Sequence, residues 1–426
     1  MEIRLNPGKL KGRIVIQSSK SQLHRTLICA ALSAGISEIG NVCESLDVLA
    51  TLDGLVSLGL AEARRKEGAG LEIRGKGRRG EIRAGVDCGE SGTTLRFLIP
   101  LVLAKGGRAV FRGGDRLMDR PMGPYEEIFR PMGIVFARSP EGIQVEGRLA
   151  PRRYELAGNV SSQFISGLLL ALPLLEGDSQ IALLTPLESR DYVEMTLDAM
   201  RVFGVRAYWE NDRLLAVPGK QSYRPVKMDM EGDWSHAAFF LAAGALGGDV
   251  TCLGLNLDSA HGDKAILPLL EAMGASVQIR PHEVRVMGGR LRGVDMDVSQ
   301  IPDLAPVLAV LGCGCEGTAR IYNAGRLRMK ESDRLSAMSR ELRALGADVE
   351  EGPDWMEIRG NPEAGLTGGR CRSHNDHRVA MSLAVASALC REAVTVAEAE
   401  SVAKSSPSFW EDIRKLGGGI NDGTGS

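Results

Sequence analysis

The chain has 426 residues, 44% of them apolar and 25% charged, which is longer than one hydrophobic core usually supports, so two domains are expected. The 52 Lys and Arg stand against 54 Asp and Glu. A net charge of −2 with 4% aromatic residues argues against a nucleic-acid binder built on a basic stripe or a stacking surface, and against attraction to an anionic membrane.

Residues 1–5 alternate like a strand and carry no apolar signal region. A polar, basic cluster follows, Ser19-Lys20-Ser21 with His24 and Arg25, and then a run of small apolar residues as far as Gly35. Ser19 or Ser21 is the expected N-cap and Gly35 the expected residue beyond the helix end. A helix that is apolar on nearly every side must be buried, which leaves its polar N-terminus as the part that faces something wet or charged.

This unit recurs. Glu90-Ser91-Gly92-Thr93-Thr94 leads into residues 95–104, Ser161-Ser162-Gln163 into 164–171, and Gly232-Asp233-Trp234-Ser235-His236 into 237–246. Pro302-Asp303 leads into 304–311, and Asn375-Asp376-His377-Arg378 into 379–389. The spacing is 69 to 72 residues. A second marker keeps step: amphipathic segments end at Gly59, Gly133, Gly204, Gly274, Gly346 and Gly417, 70 to 74 residues apart. A fixed period means a repeat architecture.

Each repeat reads as strand, buried helix, strand, amphipathic helix and two short strands. In the fifth, Leu335, Met338, Leu342 and Leu345 share one helical face, with Ser332 or Asp333 as cap and Gly346 as stop. A hairpin over 348–359 turns at Gly352-Pro353-Asp354. Three repeats are expected per domain. If the first strand pairs with the last repeats, the chain crosses between domains near residues 18 and 230, giving one domain of 1–18 with 230–426 and another of 19–229. The glycine-rich end, 417–426, is expected to fray.

The longest apolar run, 167–175, is broken by Pro173 and too short to span a bilayer, so a cytoplasmic protein is expected. The eight cysteines read as small core residues, and Cys313 and Cys315 form a lone C-x-C with no second pair. No disulfide framework, metal or organic cofactor is expected.

Buried helices packed side by side bring their N-termini together, and each carries unpaired N–H groups and about half a positive charge, an anion site before any side chain is added. Lys20, Arg25, Arg96 and Arg378 lie at these starts. Arg116 and Arg120 precede Pro121; Arg326, Arg328, Lys330 and Arg334 follow one another before a helix; Lys404 precedes Ser405-Ser406-Pro407. Arg suits carboxylate and phosphate through its bidentate fork. The acid–base candidates are Lys20, Asp303 and Glu331, with His377 behind them. Asp303 could equally be a helix cap. Glu331, between Lys330 and Arg334, stays ionised unless a substrate anion takes those charges. His374 and His377 lack a third ligand and read as hydrogen-bonding groups. No P-loop, dinucleotide glycine pattern or serine elbow is visible.

Taken together, Ser19-Lys20-Ser21 with Arg25, Gly92-Thr93 with Arg96, Arg116…Arg120-Pro121, Ser161-Ser162-Gln163, Ile301-Pro302-Asp303, Lys330-Glu331-Ser332-Asp333-Arg334 and Asn375-Asp376-His377-Arg378 resemble the EPSP synthases (3-phosphoshikimate 1-carboxyvinyltransferases) of the enolpyruvyl transferase family. The resemblance runs nearly end to end. It implies an α/β fold: a two-domain inside-out barrel of six βαβαββ repeats, with helices at each domain core and the active site in the cleft between domains. It implies transfer of the enolpyruvyl group of phosphoenolpyruvate to the 5-hydroxyl of shikimate 3-phosphate, with glyphosate as a competitor of phosphoenolpyruvate.

By the same resemblance, Lys20, Gly92, Arg120, Gln163, Arg334, Arg378 and Lys404 should hold phosphoenolpyruvate. Lys20, Ser21, Arg25, Ser161, Ser162, Gln163, Ser189, Tyr192, Asp303, Arg326 and Lys330 should border shikimate 3-phosphate. Asp303 is the base on the 5-hydroxyl, and Lys20 and Glu331 handle the proton at C3. Glu90, Arg326 and Phe97 depart from the commonest family pattern. The partners implied are these two small molecules, with no nucleic acid or membrane, and a monomer. One rival is UDP-N-acetylglucosamine enolpyruvyl transferase, which uses a cysteine in the loop that here runs from Arg116 to Pro121 without one. The other is a nucleic-acid-processing protein on a related repeat scaffold, which the charge balance disfavours.

Overall fold

The structure, a computed structural model, describes residues 1–77 and 82–422. Six helices carry the core: α1 (Lys20–Leu32), α2 (Gly92–Ala104), α3 (Ser162–Ala171), α4 (Trp234–Ala245), α5 (Ala305–Cys313) and α6 (His377–Ala386). Every residue of α4, α5 and α6 is buried, as an all-round apolar surface requires. Their small residues let the sheets come close. A Cβ on Gly244 would sit 2.5 Å from the Val286 carbonyl oxygen, so only glycine allows that approach.

The chain divides into two compact units, Met1–Ser19 with Glu231–Ser426, and Lys20–Met230. Each holds three of the helices and three four-stranded sheets, all six sheets built alike. In one of them Arg83–Asp87 runs parallel to Gly107–Arg112, which is antiparallel to Gly142–Gly147, which is antiparallel in turn to Val135–Ser139. The parallel pair needs a crossover, and the buried helix supplies it. The fold is therefore the expected inside-out α/β arrangement of βαβαββ repeats.

The sequence alone does not show how two repeats share strands. Lys11–Val15, which precedes α1, pairs in parallel with Asp249–Leu253 of the fourth repeat. Lys227–Asp229, which precedes α4, pairs in parallel with Ala34–Gly40. The first and fourth repeats thus exchange their opening strands. The two crossing segments bond to each other, Ser19 N to Glu231 O at 2.9 Å and Asp233 N to Gln17 O at 2.8 Å. The sixth repeat takes its fourth strand from the start of the chain: Glu2–Leu5 lies between Val394–Ala397 and Ile420–Asp422, antiparallel to both.

Two expectations need correction. Gly35 does not terminate α1. The helix ends at Leu32, where Ser33 N reaches the Cys29 carbonyl, and Gly35 lies in the strand Ala34–Gly40 against Pro225. Residues 420–422 do not fray, because the strand Glu2–Leu5 gives them partners; residues 423–426 lie outside the described residues. The fifth amphipathic helix is Arg334–Ala344, capped by Asp333 through a 3.0 Å bond from Ser336 N.

None of the eight cysteines is in a disulfide. The Cys313 and Cys315 thiols face the carbonyls of Ala309 and Leu311, and burial pushes both up to about 12, as for inert core residues. Among the described residues no helix is long and apolar enough to cross a membrane.

Candidate active site

Candidate residues gather in two clusters, one in each unit. In the unit Lys20–Met230, the start of α2 is the centre. Ser91 caps it, accepting from Thr94 N at 3.1 Å. A Cβ on Gly92 would lie 2.8 Å from Arg120 Nη1, 3.4 Å from Arg96 Nη1 and 3.5 Å from Gln163 Oε1, so these three side chains and the helix start enclose one small corner. Arg96 donates to Gln163 Oε1 at 2.7 Å and to the Pro121 carbonyl at 3.2 Å, with its guanidinium 4.9 Å above the Phe164 ring. Gln163 Nε2 donates to Thr93 Oγ1 at 2.9 Å.

Arg120 is buried, yet its Nε and Nη2 have no hydrogen-bond partner among the described residues. Burial, and then Arg120, lower Arg96 to about 9. Two buried guanidiniums at a helix start, with neither paired to a carboxylate among the described residues, make a corner suited to an anion.

Near by, Lys20 Nζ pairs with Asp47 Oδ2 at 2.9 Å. Arg25 is buried and committed to protein: Nε to Thr196 Oγ1 at 2.8 Å, Nη1 to the Ser21 carbonyl at 2.6 Å and Nη2 to the Tyr192 carbonyl at 2.8 Å, over Phe97 at 5.2 Å. It therefore ties Ser21 to Tyr192, and burial lowers it to about 10. Ser161 caps α3 through a 3.3 Å bond from Gln163 N. Ser189, with φ 57°, opens the helix Arg190–Val202.

In the other unit the centre is Asp303. It is not a helix cap. A turn through Pro302, Asp303 and Leu304 precedes α5, whose N-cap position is Leu304. The carboxylate instead meets Lys330 Nζ at 3.4 Å, Arg334 Nη1 at 3.0 Å and Arg378 Nη2 at 2.8 Å. Arg334 continues to Asp376 Oδ2 at 2.8 Å and Glu331 Oε2 at 3.0 Å, and His377 Nδ1 lies 2.9 Å from the same Glu331 oxygen. Asp376 also caps α6, accepting from Arg378 N at 2.9 Å. Lys404 Nζ donates to the Asn375 carbonyl at 2.6 Å, and Arg326 Nη2 to the Ser299 carbonyl at 2.6 Å.

Burial alone would raise Asp303, but Arg378, Lys330 and Arg334 outweigh it and hold the carboxyl well below its usual range. Burial lowers Lys330 to about 8 despite Asp303, with Arg334, Arg326 and Arg378 pushing the same way. The donor atoms of Glu331, Asp376 and His377 lie within 4.8 Å of one another, as metal ligands would. However, the Arg334 guanidinium already donates to both carboxylates, and a cation would have to displace it. His374 goes elsewhere, 2.7 Å from Glu341.

Clusters of buried cations at helix starts suit anionic ligands, and comparison with known proteins gives the family. The EPSP synthase (3-phosphoshikimate 1-carboxyvinyltransferase) family model matches residues 5–413. A 3-phosphoshikimate 1-carboxyvinyltransferase of Clostridium perfringens is 44% identical over 98% of both chains. This chain belongs to the EPSP synthase family. A relative of the same description from Clostridium kluyveri is 44% identical over 99% of this chain and 98% of its own. Among solved structures, an EPSP synthase from Acinetobacter baumannii superposes with a TM-score of 0.81 at 26% identity, covering 99% of this chain and 100% of its own. The enolpyruvyl transferase NikO of Streptomyces tendae shares the fold, at 0.80.

Within this EPSP synthase family member, the family departures have local accounts. Glu90 lies against Gly114, Phe97 is buried beneath Arg25, and Arg326 is held by the Ser299 carbonyl. Two groups in the clusters, Asp47 and Asp376, were given no role by the sequence, while Arg96 and His377 were candidates there without a place in the substrate assignments. Arg96 and the pair Asp376-His377 stood in motifs and could have been included. Asp47 offered only an acidic residue in a first helical turn.

Proposed function

We infer that this chain transfers the enolpyruvyl group of phosphoenolpyruvate to the 5-hydroxyl of shikimate 3-phosphate, forming EPSP and phosphate for aromatic biosynthesis. The observation that carries the reading is the match along the whole chain to proteins named for this reaction. The clusters supply the chemistry. Phosphoenolpyruvate is assigned to Lys20, Gly92, Arg120, Gln163, Arg334, Arg378 and Lys404. Shikimate 3-phosphate is assigned to Lys20, Ser21, Arg25, Ser161, Ser162, Gln163, Ser189, Tyr192, Asp303, Arg326 and Lys330. Arg25 acts there mainly by holding Ser21 and Tyr192.

A carboxylate gripped by three cations is a poor base, since its proton affinity is suppressed. Substrate anions that take Lys330, Arg334 and Arg378 for themselves loosen that grip. Asp303 then becomes basic when both substrates are in place, and can accept the 5-hydroxyl proton as the oxygen attacks C2. Lys20 and Glu331 are assigned to proton transfer at C3. The tetrahedral intermediate then expels phosphate, whose charge the cations and helix starts stabilise. The catalytic domains divide near residues 18 and 230, and the working form is a cytoplasmic monomer. Phosphate release from phosphoenolpyruvate tests the reading. It should require shikimate 3-phosphate, and release driven instead by UDP-N-acetylglucosamine would overturn it.

A further inference from the structure

Three hydroxyls and one imidazole, all buried, connect α1 to the start of α2. His24 Nδ1 lies 2.7 Å from Thr51 Oγ1, Thr51 Oγ1 lies 2.6 Å from Thr94 Oγ1, and Thr94 Oγ1 donates to Ser91 Oγ at 2.8 Å. Ser91 Oγ also takes the Thr94 backbone N–H. The direction of the whole chain follows from its last link, because each hydroxyl has one proton to give. Thr94 spends its proton on Ser91, so it must accept from Thr51. Thr51 has then spent its own, so it must accept from His24. The imidazole therefore carries its proton on Nδ1. Its Nε2, buried and without a hydrogen-bond partner among the described residues, pulls in no other direction.

We propose that His24 is a positioning residue: as the Nδ1–H tautomer it heads a one-way run of hydrogen bonds through Thr51 and Thr94 to Ser91, and so fixes the start of α2 at the Gly92 corner. Three separate segments are pinned by it. His24 sits one turn after Lys20 on α1, Thr51 lies on the helix Leu46–Ser57, and Ser91 and Thr94 hold the first turn of α2. Ser91 is clamped by two donors from one residue, which leaves the Gly92 backbone little freedom to tilt. Burial, with Lys20 and Arg25 near by, holds the imidazole neutral, so the one proton it keeps is the one on Nδ1. The consequence for binding rests on the assignment of this corner to phosphoenolpyruvate.

The full-length enzyme allows two independent tests. Nitrogen-15 spectra of the histidine rings, with His24 identified by its loss in His24→Asn, should show a protonated Nδ1 and a bare Nε2 at neutral pH. A ring whose Nδ1 carries no proton overturns the chain. In steady-state kinetics Thr51→Val keeps the side-chain shape and removes the link. It should raise the phosphoenolpyruvate KM about 3- to 10-fold, the usual value of one hydrogen bond, and leave the KM for shikimate 3-phosphate unchanged. His24→Leu should do the same, and the double variant no more than the worse single one, since both break one chain. His24→Asn, whose amide N–H can stand where Nδ1–H stood, should restore the KM to within about two-fold. Gly92→Ala serves as the separate check on the corner. If Gly92→Ala raises the phosphoenolpyruvate KM and Thr51→Val does not, the positioning role is refuted. If Gly92→Ala leaves that KM unmoved, the substrate assignment falls, and the ring spectra still decide the tautomer.

Discussion

Asp303→Asn separates chemistry from architecture more sharply than any other single change. The native carboxylate, 16% exposed, is the common counter-ion of Lys330, Arg334 and Arg378 at 3.4, 3.0 and 2.8 Å. At an effective dielectric near 20, one such contact at 3 Å is worth about 5 kcal/mol of Coulomb energy before desolvation is charged against it. Asparagine keeps the size and one oxygen acceptor for the arginines but cannot take a proton. Turnover should fall about 10²- to 10⁴-fold, the ordinary value of a general base, with the KM for either substrate shifted far less. Asp303→Ala adds a structural cost. It leaves two nearly buried arginines short of a partner, and stripping one side of a buried pair costs about 3–5 kcal/mol. That is several times the cost of a lost helix cap, a role the carboxylate does not have. Phosphate release under saturating substrates gives the first quantity and thermal unfolding the second. Turnover of Asp303→Asn within ten-fold of the native enzyme would refute the base and leave only a counter-ion.

Three other outcomes follow from the same geometry. In Gly92→Ala the new methyl would stand 2.8 Å from Arg120 Nη1; overpacking of about 1–3 kcal/mol should raise the ratio of the glyphosate inhibition constant to the phosphoenolpyruvate KM about 5- to 150-fold, and an unchanged ratio would remove Gly92 from the corner. Because burial brings Lys330 down to about 8, it loses its charge as pH rises through that value; kcat/KM for shikimate 3-phosphate should fall there, and Lys330→Arg should move the limb up by at least about one unit. His236 is held near 4 by burial, against an ordinary 6.5, with Nε2 2.9 Å from Ser406 Oγ. The unfolded chain takes the proton first, so stability should drop by about 3 kcal/mol as pH falls from 6.5 to 4; His236→Gln should flatten that slope in denaturant titrations, and an unaltered slope counts against this residue.

Local signals in the sequence were reliable wherever the cause was local. The polar-to-apolar switch at Lys20, Gly92, Ser162, Trp234 and His377 marks real helix starts, because a buried helix exposes nothing else. Gly346, with φ 93°, ends its helix for the same conformational reason that made it readable. Gly35 misled because its neighbour Pro225 comes from a distant loop, and no local pattern tells a glycine that ends a helix from one that admits such a contact. Asp303 was legible as a special carboxylate, but its cations come from two segments, one holding Lys330 and Arg334 and the other Arg378, and were connected to it only by folding. Asp47 and Asp376 show the same limit: each pairs with a cation 27 or 42 positions away, and a lone Asp gives no hint of which. The exchange of strands between the first and fourth repeats was hidden for another reason. Both strands are short and mostly exposed, and their pattern does not say which sheet each one joins.

The placement of Glu2–Leu5 also sets an order of events during synthesis. The unit Lys20–Met230 is one uninterrupted stretch and holds all its own strands from Ala34 to Asp229, so it can finish while the rest is still being made. The other unit cannot. Glu2 waits for Ala397, and Lys11 for Asp249, so strands made early are among the last to find their places. Contacts so distant in sequence are slow to form. Until they form, Val394–Ala397 has an open edge, the kind of edge that invites other chains. An early-finished domain tethered to this late-closing one leaves the nascent protein most exposed to aggregation until Val394–Ala397 has met Glu2–Leu5.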